Sequence, residues 1–141
     1  MSQNGVKYVV LLEGINDIGQ TCLGNASAST EDLIAGYRQI ITQVHVKGVK
    51  IFGATMTPFK GATPANTGYF CDEGNAKRQA LNTFIRTSGE FDGVIDFDQA
   101  TRDLADPQVY LSAYDSGDHL HPNDAGYAAM ANAIDLTLFT Q

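Results

Sequence analysis

The 141-residue sequence has no tryptophan, four prolines and only two cysteines, Cys22 and Cys71. Because these cysteines lie far apart and form no CxxC pair, a structural zinc site is not expected. Basic residues are also few, nine against sixteen acidic ones, and the net charge of −7 argues against nucleic acid or an anionic membrane as a partner. No apolar run approaches the roughly 20 residues that a membrane-spanning helix requires, so no membrane span is predicted.

The rest of the composition is typical of one folded domain, and we expect this domain to comprise residues 1–141. Hydrophobic residues make up 43% of the chain and the charges are spread along it, which argues against disorder. A chain of this length has room for one hydrophobic core and not for two domains. The segment 1–5 has neither the basic start nor the apolar stretch of a signal peptide.

Three short runs of mostly apolar residues predict buried strands, at 6–12, 49–56 and 94–97. Each run is followed by a polar or helical segment, so the predicted order is β-α-β-α-β-α. Strands that alternate with helices predict an α/β fold in which a parallel sheet carries helices on its faces. In such sheets the ligand site lies beyond the carboxyl ends of the strands.

Three helices are predicted from capping signals and from apolar residues at helical spacing. The first begins after Ser29, which has an acidic residue three positions later, and ends at Gly48. The second covers about 76–85 and is closed by Gly89, and the last begins at Asn123 and continues to about 138. The connections at 13–28, 57–73 and 98–122 are predicted to be loops, and the last is long enough to suggest a function.

The polar stretch that follows the first predicted strand contains Gly14, Asn16 and Asp17. An asparagine amide at this point can donate a hydrogen bond to an oxyanion, while a glycine lets the chain turn tightly. The alternative is an ordinary turn in which Asn16 and Asp17 bond their own backbone. From residues 14–17 alone, the ordinary turn is the favoured interpretation.

The segment before the last predicted helix contains Asp118, His119 and His121. A carboxylate three residues before a histidine can hold the imidazole in one tautomer, so that His121 can act as a general base. One alternative is an exposed loop that ends in the helix cap Asn123. A metal site formed by these three side chains is the least favoured reading, because no further ligand pattern accompanies them.

Cys22 and Cys71 each fall in a loop after a predicted strand, and the two strands are consecutive. In a parallel sheet these loops lie at the same edge, so a disulfide between them is a hypothesis that needs the two Cα atoms within about 7 Å. Two free thiols are the alternative. A disulfide would fit secretion of the longer protein from which such a chain would come.

The residues Gly14-Ile15-Asn16-Asp17 and Asp118-x-x-His121 resemble, in this order, the Gly-x-Asn-Asp and Asp-x-x-His blocks of the SGNH/GDSL hydrolases. The resemblance implies a three-layer, flavodoxin-like parallel sheet, of which this chain would supply strands three to five. It implies that Asn16 is an oxyanion donor, His121 the base and Asp118 the residue that orients it, with Gly14 and Asp17 at the substrate. The reaction would be cofactor-free hydrolysis of a small ester or an acetylated sugar through a serine acyl-enzyme.

The sequence departs from this family in lacking the Gly-Asp-Ser block that carries the nucleophile and the glycine block that follows it. Five serines besides Ser2 could be considered as substitutes: Ser27, Ser29, Ser88, Ser112 and Ser116. None lies in a nucleophile motif, and Ser116, the nearest to His121, lies in a predicted turn. The chain is therefore expected to be a partial domain that is inactive or weakly active alone.

Two other functions remain open on the sequence. The chain could be a non-catalytic module that binds an ester or a carbohydrate, or a remnant that assembles as an oligomer. Without a neighbouring strand, the run at 7–12 would be a free sheet edge, which predicts a homo-oligomer or a complementing N-terminal fragment. A nucleotide-binding protein of the same fold is disfavoured, because no phosphate-binding glycine loop follows the first strand.

Overall fold

The structure is a computed structural model that describes residues 4–63, 65 and 67–140. Residues 1–3, where no signal peptide was predicted, lie outside the described residues. Three parallel strands form one sheet in the order β1-β2-β3, with β1 at Tyr8–Leu11, β2 at Lys50–Ala54 and β3 at Gly93–Ile95. The predicted α/β fold with a parallel sheet is therefore confirmed.

Five α-helices surround this sheet in the described part of the chain. They are α1 (Ile15–Cys22), α2 (Thr30–His45), α3 (Asp72–Thr87), α4 (Phe97–Thr101) and α5 (Asp124–Asn132), with 3₁₀ turns at Ser112–Tyr114 and Leu136–Phe139. The predicted start of α2 is confirmed, because Ser29 and Asp32 form a reciprocal capping box. None of the described helices is both long and apolar enough to cross a bilayer.

Three predicted segments differ from the structure. The loop expected after β1 is the helix α1, which starts at the left-handed Gly14 and buries Ile18 and Gly19 against the rest of the domain. The last helix ends at Asn132 rather than near 138, because Asp135 accepts a bond from the Thr137 N–H and starts a 3₁₀ turn there. The predicted loop at 98–122 begins inside the short helix α4, whose N-cap Asp96 accepts a bond from the Gln99 N–H. Tertiary packing in the first case and local caps in the other two decide the structure, and none of the three follows from the spacing of apolar residues.

The central strand β2 is buried on both faces, as its apolar run predicts. On one face Ile51 belongs to a cluster with buried residues of α2 and α3, among them Ile41 and Leu81. On the other face Phe52 packs with Ile95 and with residues of the C-terminal segment, listed here as Met130, Ile134, Leu138 and Phe139. The sheet therefore lies between two helical layers, with its carboxyl ends open.

A polar network ties α3 to the segment after β3. Asp98 accepts hydrogen bonds from Arg78 and Arg86, each at 2.7 Å, and from Arg102 at 3.3 Å. The side chains of Arg78 and Asp98 are only 3% and 5% exposed. Buried charges of this kind are stable only when they are paired, so each depends on its partner.

Cys22 and Cys71 form a disulfide, with their Cα atoms 5.3 Å apart. Cys22 is the last residue of α1 and Cys71 is the N-cap of α3. The bond therefore fixes the helix that follows β1 to the long helix that follows β2.

Candidate active site

A pocket lies at the carboxyl ends of β1 and β2, where the loop before α5 reaches the sheet. It is lined by Leu12, Glu13, Ile15, Asn16, Met56, Thr57, Leu120 and His121. The fold thus brings two of the predicted site residues, Asn16 and His121, to the walls of one pocket. The others, Gly14, Asp17 and Asp118, are not among its lining residues.

Gly14 and Asp17 occupy different positions around Asn16. Gly14 is buried and begins α1 at φ 110°, and a Cβ there would lie 3.5 Å from both Met56 Sδ and Tyr37 Oη. Its role is therefore the turn between β1 and α1, which positions Asn16 in the first helical turn. Asp17 is exposed on the same turn.

The Asn16 side chain receives a hydrogen bond from a residue that the sequence did not point to. The Tyr69 hydroxyl donates to Asn16 Oδ1 at 3.2 Å. This contact links the first turn of α1 to the segment between β2 and α3. In the described residues the Asn16 carboxamide is thus bonded across the site rather than to its own backbone.

Asp118 holds the His121 ring. The His121 Nδ1–H lies 2.7 Å from Asp118 Oδ2, while the backbone N–H groups of Leu120 and His121 each donate to Oδ1 at 2.8 Å. The Ser116 hydroxyl donates to the same Oδ1 at 2.9 Å. Desolvation raises the pKa of Asp118, but the bonds from His121, Leu120 and Ser116 outweigh it and hold this pKa well below its ordinary range.

A carboxylate that stays ionised beside Nδ1 keeps the proton on that nitrogen and leaves Nε2 as the basic atom. Since the His121 side chain is 62% exposed, Nε2 is open to a reacting group. The arrangement suits a general base in the pocket.

His119 belongs to a separate pair. Its Nδ1 lies 2.5 Å from Asp115 Oδ2, and its ring packs on Gly61 in the loop after β2. The backbone of His119 is left-handed, with φ 61°, and its side chain lines a different pocket from that of His121. No group of three or more potential metal ligands occurs in the described residues, 4–63, 65 and 67–140.

Tyr110 joins the two loops that form the pocket. Its hydroxyl lies 2.6 Å from Thr57 Oγ1 and 3.2 Å from the Leu120 carbonyl oxygen. Burial raises the pKa of Tyr110 to about 12, so the phenol remains a neutral hydrogen-bond donor. Thr57 and Tyr110 were not identified from the sequence, in which no motif surrounds them.

Comparison with known proteins gives one family. A family model described as GDSL-like lipase/acylhydrolase matches residues 2–129. The fold is similar to that of a GDSL-like lipase from Bacteroides thetaiotaomicron, with a TM-score of 0.71 and 18% identity over 94% of this chain and 62% of that one. It is also similar to a protein from Streptococcus pneumoniae described as a candidate platelet activating factor, with a TM-score of 0.73 and 20% identity over 98% and 62%.

The chain spans less than two thirds of the length of these solved structures. At such identities the structural likeness concerns the fold. A comparison with curated proteins gave no match. The family model, however, matches most of the sequence, and the chain belongs to the GDSL-like lipase/acylhydrolase family.

Proposed function

We propose that the chain provides the base and an oxyanion donor of a serine ester hydrolase. The observation that supports this most directly is that Asn16 and His121 line one pocket while Asp118 holds His121 from behind. In this proposal His121 Nε2 removes the proton of a serine hydroxyl, Asp118 stabilises the resulting imidazolium, and the Asn16 amide donates to the oxyanion.

The serine would come from polypeptide outside these 141 residues, because the sequence contains no Gly-Asp-Ser block. Ser116 is a poor substitute, since its hydroxyl donates to Asp118 on the oxygen that His121 Nδ1 does not use. The Ser116 hydroxyl therefore supports the carboxylate that orients His121, and it is not bonded to the imidazole that would have to remove its proton. We therefore expect the chain alone to be inactive or nearly so.

The pocket walls suggest the class of substrate. Leu12, Ile15 and Met56 offer an apolar surface, and Glu13 lies at the same pocket. A small ester or an acetylated sugar fits this combination, with the acyl group on the apolar side and hydroxyl groups near the carboxylate.

The test is to supply the nucleophile. A segment of a family member that carries Gly-Asp-Ser is fused before residue 1, and hydrolysis of p-nitrophenyl acetate is followed with and without it. We expect turnover only in the fusion. His121→Ala should lower its kcat by a factor on the order of 10⁴ or more, and Asn16→Ala by about 10²–10³.

His119→Ala is the matched control, because His119 is also bonded to an aspartate but is not among the residues that line the pocket. It should leave kcat within a few-fold of the parent fusion. A folded fusion with an intact serine and no turnover would favour the alternative, a non-catalytic module that binds an ester or carbohydrate. Turnover by the unfused chain that a serine-directed inhibitor abolishes would contradict its expected inactivity.

A second proposal concerns the edge strand β1. In the described residues β1 pairs only with β2, and Val10 and Leu12 are 44% and 39% exposed. Ile40 and Val46 of the adjoining α2 region are exposed as well. An apolar strand edge invites pairing with another strand, which a second copy or a complementing N-terminal fragment would supply.

Light scattering of the purified chain tests this proposal. We expect an oligomer that Val10→Lys converts to monomer, because a charge on an edge strand opposes strand pairing. Leu104→Lys is the control, since Leu104 is equally apolar and 91% exposed but lies in a loop. A parent chain that is monomeric at all concentrations would contradict self-association.

A further inference from the structure

We propose that Tyr69 is a positioning residue that fixes the orientation of the Asn16 carboxamide. This inference rests on the proposed role of Asn16 and deepens it. An asparagine can serve as an oxyanion donor only when its NH₂ group, and not its oxygen, faces the reacting atoms.

The hydrogen bond itself sets the orientation. Asn16 Oδ1 lies 3.2 Å from the Tyr69 hydroxyl, and because a carboxamide oxygen can only accept, the phenol O–H is the donor. In a carboxamide the oxygen and the nitrogen point to opposite sides of the same carbon. With Oδ1 held by Tyr69, Nδ2 turns the other way and remains available to a substrate oxygen.

The position of Tyr69 is fixed by the same helix that carries Asn16. The Tyr69 ring packs against Gly19, one turn after Asn16, so closely that a Cβ at this position would collide with ring atoms Cδ1 and Cε1. Residues three apart share a helix face, so the tyrosine covers the face on which Asn16 lies. A glycine is therefore needed at position 19 to make room for the Tyr69 ring, and not to form the helix.

The disulfide adds a covalent restraint on the same contact. Cys71 lies two residues after Tyr69, and its partner Cys22 ends the helix that begins beside Asn16. The segment that carries Tyr69 and Cys71 is thus joined to α1 by a hydrogen bond and a ring contact of Tyr69 and by the disulfide of Cys71. Their relative position is preorganised, as a hydrogen-bond donor for a developing charge requires.

The experiment uses the chain as it is and needs no turnover. Tyr69→Phe removes the hydroxyl and keeps the ring, and the Asn16 side-chain resonances are followed by NMR. Since a carbonyl carbon is deshielded when its oxygen accepts a hydrogen bond, we expect the Asn16 Cγ resonance to move upfield in Tyr69→Phe. The thermal unfolding midpoint should stay essentially unchanged, which separates positioning from a general loss of structure.

Tyr127→Phe is the control, because Tyr127 is 55% exposed on another helix, and it should leave the Asn16 resonances in place. An unmoved Asn16 Cγ resonance in Tyr69→Phe would overturn the proposal. So would a change confined to Nδ2, which would mean that the amide is turned the other way. Neither result depends on esterase activity. The proposed catalytic role of Asn16 can therefore be disproved without deciding whether Tyr69 orients the Asn16 carboxamide.

Discussion

Asp98→Ala should destabilise the domain by roughly 3–5 kcal/mol, the cost of removing one partner from a buried ion pair. Asp98 is the common acceptor of three arginines, of which Arg78 is almost completely buried. Without the carboxylate, the Arg78 guanidinium would keep its charge in an almost fully buried position and lose its ion-pair partner. Domains of this kind have about 5–15 kcal/mol of stability in total, so the loss is a large share.

Urea denaturation followed by circular dichroism measures this effect. Asp106→Ala is the matched control, because Asp106 forms a 2.7 Å ion pair with Lys60 whose two side chains are 39% and 42% exposed. Exposed ion pairs contribute little, so this variant should unfold close to the parent chain. Equal midpoints for the Asp98 and Asp106 variants would show that the arginine cluster does not depend on Asp98.

Removing the disulfide should cost about 4 kcal/mol, because the bond closes a loop with a sequence separation of 49. The double variant Cys22→Ala with Cys71→Ser isolates the cross-link. Cys71 Sγ accepts a bond from the Gly74 N–H as the N-cap of α3, and a serine hydroxyl keeps this function. The remaining loss then comes from the greater freedom of the unfolded chain.

Thermal unfolding with and without dithiothreitol measures the contribution of the disulfide. For a domain of this size a loss of this magnitude lowers the midpoint by roughly 10 °C or more. The reductant should lower the midpoint of the parent chain to that of the double variant and leave the double variant unchanged. If the oxidised parent and the double variant unfold together, the cross-link does not stabilise the fold.

The strands and the two long helices could be predicted because their signals are local. β2 is apolar after its first residue, Lys50, and α2 begins with the pair Ser29 and Asp32 at capping-box spacing. The relation between Asp118 and His121 is local as well, since three residues separate the carboxylate from the ring that it holds. In each case the interaction that decides the structure lies within one turn or one strand.

The features that escaped prediction depend on residues far apart in sequence. α1 contains Gly19, which weakens a helix on its own, and only the Tyr69 ring explains it. The buried Arg78 lies on a helix whose pattern suggests an exposed charge, and its partner Asp98 comes from the segment after β3. Such contacts arise from tertiary packing and leave no periodic trace in the sequence.

The loop that holds Asp118 is closed on itself, because the four hydrogen bonds that the Asp118 carboxylate accepts within the described part of the chain all come from residues 116–121. The carboxylate therefore stabilises this loop whether or not a substrate is ever bound. The largely exposed His121 ring gives the loop only one bond. In lineages that evolve without catalysis, selection for folding alone would retain Asp118 and let His121 vary.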